Sequence, residues 1–306
     1  MTSSLGCNVV GVDLGGTKTA AARVGPDGAV GPLAINPTPA GDGPDTVLDT
    51  VAATVLQASQ GAMPTAVGIG AAGAIDEHGT VVSSTDTFRG WVGTDIASGL
   101  RARLGDLPVR VINDVDAHAV GEAWQGAAAG ARSALVVAVG TGVGGALLLD
   151  GRLHVGAHHL AGEIGHIPTV GAEDLLCPCG RLGHLEALAA GPAIHRRYRA
   201  LGGSPEVADT VEVFKAATEG DGIALRVIRA AATGLGRTLA GQITCLDPDV
   251  VVISGGLAEA GPLWWEPLEA TVRSELVEAL AGIPIRPAQL GPVAAILGAA
   301  RTVAVQ

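Results

Sequence analysis

The chain is poor in aromatic side chains, in cysteine and in positive charge, and it has no long uninterrupted apolar run. Two Phe, four Trp and one Tyr among 306 residues leave the core to aliphatic side chains, and 48% of the residues are apolar, enough to bury a large core. Four cysteines are too few to staple a chain of this length, which implies a reducing, cytoplasmic setting. Nineteen Lys and Arg against 30 Asp and Glu give a formal net charge of −11. That balance excludes binding to DNA or to an anionic membrane through bulk electrostatics, yet leaves room for a local site that takes an anionic nucleotide. No run is long and apolar enough to span a bilayer. Met1–Gly6 has neither a basic n-region nor an apolar h-region. Leu5-Gly6-Cys7 has the outline of a lipoprotein cleavage site without the hydrophobic stretch before it, so Cys7 is expected to begin a buried strand.

What is present is an alternation of short apolar runs with glycine-rich turns and helical periodicity, the pattern of an α/β protein long enough for two domains. "NVVGVDLGGTKTAAARVGPDGAV" is an apolar strand, a Gly/Thr bend, a second strand and a Gly25-Pro26-Asp27-Gly28 turn. "ALVVAVGTGVGGALLLDGRLHVG" repeats the device, with Gly140-Thr141-Gly142 at the bend and Asp150-Gly151 at the turn. Two copies predict two similar domains, each opening with a hairpin, on either side of a cleft. Helical periodicity covers residues 44–61, 116–125, 184–200, 209–219 and 221–245, and "VAAILGAARTVA" reads as a terminal helix. "AVGIGAAGAI", "PVRVINDV" and "DPDVVVISGG" read as buried strands. With no long linker, the hinge is expected between Ala117 and Gly130. That gives a small domain of residues 1–117 plus about 290–306 and a larger one of residues 118–289.

The first bend, Asp13-Leu14-Gly15-Gly16-Thr17-Lys18, combines a carboxylate, two glycines, a hydroxyl and an ammonium group. Glycines let backbone N–H groups approach phosphate oxygens, Thr17 and Lys18 add a hydroxyl and a charge, and Asp13 could hold Mg²⁺. A plain tight turn uses the same residues. The second bend, through Thr141 and Gly142, and a third at Ser254-Gly255-Gly256 raise the expectation that a nucleotide is clamped between domains. None is a dinucleotide fingerprint, because a strand and not a helix follows the first bend.

"GVDLGGTKTA", "GIGAAGAID", "INDVDAHAVGE", "VAVGTGVGGALLLDG", "GEIGH", "CPCGRLGHLE" and "VVISGGLAE" together resemble the ROK family of sugar kinases and related repressors. They run from residue 9 to residue 259 in the family's order. The resemblance implies a two-domain actin-like ATPase (ribonuclease H-like) fold with the active site in the interdomain cleft. Many ROK repressors carry a DNA-binding domain before the first motif, and the first motif here starts at about residue 9, so no DNA partner is expected.

Phosphoryl transfer to an alcohol needs a base at the attacking hydroxyl and positive charge around the phosphoryl group. The resemblance assigns Asp114 as that base. Asn113 hydrogen-bonds a ring hydroxyl on this reading, although Asn-Asp at a strand end also caps a following helix. Glu163, His166 and Glu186 are the other implied sugar contacts, with Gly73 letting backbone approach the sugar.

The same resemblance gives a meaning to "LLCPCGRLGHLEAL". ROK proteins bind zinc with one His from Gly-Glu-x-Gly-His and three Cys from Cys-x-Cys-Gly-x-x-Gly-Cys. Here His184 stands where the third Cys would be, so the implied set is His166, Cys177, Cys179 and His184, a closed structural site. Two alternatives are a Cys177–Cys179 disulfide, which closes a cramped ring, and two buried thiols without metal.

The implied activity is ATP-dependent phosphorylation of the 6-hydroxyl of a free hexose or N-acetylhexosamine. N-acetylglucosamine stands slightly ahead of glucose, then N-acetylmannosamine and mannose, with polyphosphate as an alternative donor. "DTFRGWVGTDI" departs from the Asn-Leu-x-Gly-Trp pattern of many ROK glucokinases. A non-catalytic sugar-sensing regulator and a nucleotide hydrolase of the same fold are the competing functions. Assembly as a homodimer or higher homo-oligomer is expected.

Overall fold

A computed structural model describes residues 8–84 and 87–304. The expectation for Cys7 and the first residue of "DTFRGWVGTDI", Asp86, lie outside them. The chain begins with β1 (Val9–Leu14), β2 (Lys18–Val24), β3 (Ala34–Pro37) and α1 (Pro44–Ala58). Next come β4 (Ala66–Ala71), β5 (Ala74–Ile75), β6 (Val81–Ser83), α2 (Ile96–Leu104), β7 (Val109–Asn113) and α3 (Asp114–Gln125). The second hairpin is β8 (Ala134–Val139) and β9 (Val143–Leu149), followed by β10 (Arg152–His154). The remainder is α4 (Glu186–Ala189), α5 (Gly191–Ala200), α6 (Thr210–Thr218), α7 (Gly222–Leu246), β11 (Val250–Ser254), α8 (Pro262–Glu275), β12 (Ile285–Pro287) and α9 (Ala294–Ala304).

The duplication read from the two hairpins extends to the sheets. One has the order β3-β2-β1-β4-β7 and the other β10-β9-β8-β11-β12. In each, two antiparallel pairings lead into two parallel ones. β4 is buried at every position, as a parallel strand covered on both faces must be. The turn between β9 and β10 has positive φ at both Asp150 and Gly151, the conformation that suits a two-residue hairpin.

Two compact units divide the chain. The first comprises Met1–Ala131, Leu147–Ala161 and Gln289–Gln306, and the second Arg132–Ala146 and Gly162–Ala288. The expected break after residue 117 therefore falls too early. Residues 118–131 stay with the first unit because α3 packs on α9 backbone to backbone. A Cβ on Gly121 would run into the Ala294 carbonyl oxygen, and one on Gly298 into that of Ala117. α9 lies equally close to the sheet, since Cβ atoms on Gly11 and Gly68 would collide with the carbonyls of Ile296 and Ala299. Small residues thus do for α9 what aromatic bulk does elsewhere, and the core around them is Val, Leu, Ile and Ala. Each fully buried Val or Leu contributes about 1.5–3 kcal/mol of transfer free energy.

The junction is fixed by Glu122, fully buried on α3. Its Oε2 accepts from Ala127 N–H at 2.7 Å, and its Oε1 from Leu290 and Gln289 N–H at 2.9 and 3.0 Å. Among the described residues no helix is long and apolar enough to cross a membrane.

Candidate active site

In the first unit the site is built at the C-terminal ends of parallel strands. β4 separates β1 from β7, with Asp13 paired to Gly70 and Ala71 to Asn113. A side chain at residue 70 would press on Ala117 and crowd the Asp114 Cα, so glycine there lets the first turn of α3 settle against the sheet. Asp13 and Asp114 thereby come within electrostatic reach of each other and of His118 and Lys18. Burial raises both carboxyl groups above the ordinary range. Asp114 pushes Asp13 further up, while His118 draws both down. Such a pair at a strand edge is the environment that turns a carboxylate into a base poised nearer neutrality.

Asn113 performs the capping role that the Asn-Asp pair allowed. Its Oδ1 accepts from Val115 and Asp116 N–H at 2.8 and 3.2 Å. Its Nδ2 donates to the Gly73 carbonyl at 3.0 Å. The same side chain hydrogen-bonds the Asp114 carboxylate, so the amide also orients that group. Gly73 itself has φ +106°, and a Cβ there would approach the Ser83 carbonyl to 2.6 Å, so the site needs glycine. In the β1–β2 bend, Gly15 N–H donates to Lys18 O at 3.1 Å, Gly16 sits against the Thr87 methyl, and Thr17 and Lys18 are exposed.

In the second unit the other two glycine turns meet. Gly140 lies beside Gly256, at the C-terminal ends of the adjacent strands β8 and β11, and a Cβ on Gly255 would approach Val139 O to 2.5 Å. Gly140 N–H donates to Gly142 O at 2.9 Å, which presents Thr141 to solvent. The Gly162–His166 turn is pressed onto β9. A Cβ on Gly145 would lie 2.7 Å from Gly162 O, and one on Gly165 would strike Val143 O. Gly145 is thus a packing glycine.

Glu186 occupies a place that motif reading did not assign. Its Oε2 accepts from Val143 N–H at 2.9 Å, and glycine at residue 142 leaves space for that carboxylate. The residue ties the Cys-containing segment to the Gly140–Gly145 turn.

His166, Cys177, Cys179 and His184 place one ligand atom each within 4.8 Å of one another. The Cys177 Sγ to His166 Nδ1 distance is 3.6 Å, and Cys179 Sγ to His184 Nδ1 is 3.2 Å. A tetrahedral zinc with its ordinary bond lengths separates sulfur from nitrogen by about 3.5 Å, so the spacing fits a Cys₂His₂ centre. Burial pushes the Cys177 thiol up to about 11, and a bound cation is what would favour its thiolate. The cysteines are free thiols, not a disulfide. The opposite nitrogen of His166, Nε2, lies 3.9 Å from Glu163 Oε2, the arrangement in which a carboxylate orients a metal-binding imidazole.

Sequence reasoning placed no role on His118 or Glu122. His118 had a signal, four residues beyond Asp114 on one helix. Glu122 had none, because two of its three partners lie across 167 and 168 residues of chain.

The description "ROK family" matches residues 9–305. The chain is 33% identical over 305 residues to a glucokinase of Thermotoga maritima, covering 95% of this chain and 96% of that one. It is 34% identical over 250 residues to an N-acetylmannosamine kinase of Escherichia fergusonii, covering 81% and 83%. Among solved structures it resembles a ROK family glucokinase from Streptomyces griseus in complex with glucose and AMPPNP, with TM-score 0.83, 32% identity and coverage of 98% and 100%.

Proposed function

Because the chain belongs to the ROK family, we propose that it is an ATP-dependent sugar kinase that phosphorylates the 6-hydroxyl of a free hexose or N-acetylhexosamine. The observation that carries this reading is Asp114: a half-buried carboxyl group at the start of α3, within electrostatic reach of Asp13, with desolvation raising its proton affinity. A sugar-sensing regulator needs neither a base nor phosphate-binding turns, so this arrangement favours the enzyme. A nucleotide hydrolase has no use for Glu163, His166 and Glu186.

Asp114 accepts the proton of the attacking hydroxyl, and Asn113, whose side chain bonds the Asp114 carboxylate, is the proposed contact to a neighbouring hydroxyl. Glu163 and the other oxygen of Glu186 accept hydrogen bonds from the sugar, and His166, with Nδ1 on the metal side, donates from Nε2. The bend through Gly15, Gly16, Thr17 and Lys18, and the turns through Thr141, Gly142, Gly255 and Gly256, bind the nucleotide. Mg²⁺ supplies charge neutralisation across the phosphates, and Asp13 is the residue that would hold it. Zinc on His166, Cys177, Cys179 and His184 is structural and fixes both His166 and the segment leading to Glu186.

The glucokinase and N-acetylmannosamine kinase relatives support glucose and N-acetylmannosamine as candidates beside N-acetylglucosamine. We place glucose first, on the relative that matches nearly the whole chain. A homo-oligomer, at least a dimer, is part of the proposal. A coupled ADP-release assay over free glucose, N-acetylglucosamine, N-acetylmannosamine and mannose, with ATP and with polyphosphate, tests the reading. Asp114→Asn should keep sugar binding and lower kcat by on the order of 10²-fold or more. Near-normal turnover in that variant, or no turnover of any of the sugars by the wild type, overturns it.

A further inference from the structure

Four of the chain's 19 Lys and Arg residues line one cavity of the second unit, in a protein of net charge −11. The cavity is about 540 Å³, within the size range of small-molecule sites. Arg226 and Arg229 lie one turn apart on α7 and Arg237 about two turns further on, and Arg197 comes from the last turn of α5. The floor is apolar, with Leu188 of α4 against Gly234 of α7. A Cβ on Gly234 would approach Leu188 to 2.4 Å without its flexing, so glycine lets the helices close beneath the arginines.

A row of arginines on a long helix is ordinarily a solvated face with carboxylate partners. Here, among the described residues, only Arg237 has one, Glu275 at 3.3 Å. Arg226 and Arg229 have no side-chain partner among the described residues, although both are exposed. Arg197 is half-buried, and its Nη1 is buried without a hydrogen-bond partner among the described residues. A buried, unpartnered guanidinium nitrogen costs free energy that a bound anion would offset. Guanidinium groups recognise phosphate through paired N–H donors, and the apolar floor suits a carbon skeleton.

We propose that this cavity is a second ligand site, separate from the catalytic residues, that binds a small phosphorylated anion between Arg197, Arg226 and Arg229. Phosphate esters and inorganic oligophosphates share this chemistry. Isothermal titration of the full chain, with excess AMPPNP present to occupy the nucleotide turns, tests it with two probes, glucose 6-phosphate and inorganic pyrophosphate. One added site per chain is expected for at least one probe. Tighter binding of glucose 6-phosphate assigns the ester, and tighter binding of pyrophosphate the inorganic ligand. Losing one charged hydrogen-bond donor should weaken binding about tenfold or more, in Arg226→Ala and Arg229→Ala as in Arg197→Met. The first two side chains are exposed, so those variants keep the fold even if Arg197→Met does not. Three results overturn the proposal: no added site for either probe, binding unchanged in Arg226→Ala and Arg229→Ala, or variants that dissociate an oligomer in sedimentation while anion binding persists.

Discussion

Replacing Glu186 by alanine removes the carboxylate that holds Val143 N–H at 2.9 Å and, on the proposed reading, a sugar contact as well. A hydrogen bond to a charged group is worth about 1.5–3 kcal/mol, and 1.4 kcal/mol is tenfold in an equilibrium constant. Loss of the Val143 bond alone should therefore weaken nucleotide productive binding by roughly 10- to 100-fold, if the Gly140–Gly145 turn relaxes fully. Glu186→Gln separates the two roles. Its amide oxygen can still accept from Val143, so the KM for ATP should stay within about threefold, while the other position becomes a donor and the KM for sugar should rise about tenfold. The assay is coupled ADP release with ATP and sugar varied independently in the wild type and both variants. The reasoning fails if Glu186→Ala leaves both KM values and kcat within twofold, or if Glu186→Gln raises the KM for ATP as much as Glu186→Ala does.

Asp114 gives opposite pH signatures for activity and stability. Its raised proton affinity should carry the acidic limb of kcat/KM above the ordinary carboxylate range, and Asp114→Asn should abolish that limb. In the window between the unfolded and the raised folded value, the native state binds more protons than the unfolded chain, so stability falls as pH rises through it. Asp114→Asn should flatten that fall in pH-dependent denaturant melts. Metal analysis should find about one zinc per chain, retained in His184→Cys and lost in His184→Ala together with sugar affinity. Acidification through the imidazole range should release it; full activity of a zinc-free preparation would show the centre to be vestigial. Glu122→Ala removes the acceptor of one buried and two part-buried N–H groups, at up to about 1–3 kcal/mol each, a large share of a typical domain's stability, so the variant should express poorly. Glu122→Gln, which keeps one carbonyl oxygen, should fold with a lowered denaturant midpoint, and wild-type stability in Glu122→Ala would contradict the account.

The sequence by itself determined the elements and their repetition. Apolar runs ending in glycine turns mark strands, Asn113-Asp114 marks a helix start, and the second hairpin copies the first, because each signal lies within a few consecutive residues. The four candidate metal ligands followed from the family resemblance that these motifs carry. Where a side chain is aimed was decided by the tertiary structure. The capping role of Asn113 rests on its Oδ1 accepting from two N–H groups of the folded helix start. Glu186 was legible as a motif glutamate, but its bond to Val143 joins residues 43 apart. The unit boundary moved to Ala131 because α3 and α9 approach through glycines at opposite ends of the chain. The raised proton affinity of Asp114 likewise comes first from burial, and that burial exists only once the helix has closed over the strand ends. Local patterning fixes backbone shape within a segment; pairing and desolvation depend on segments the chain brings together only when folded.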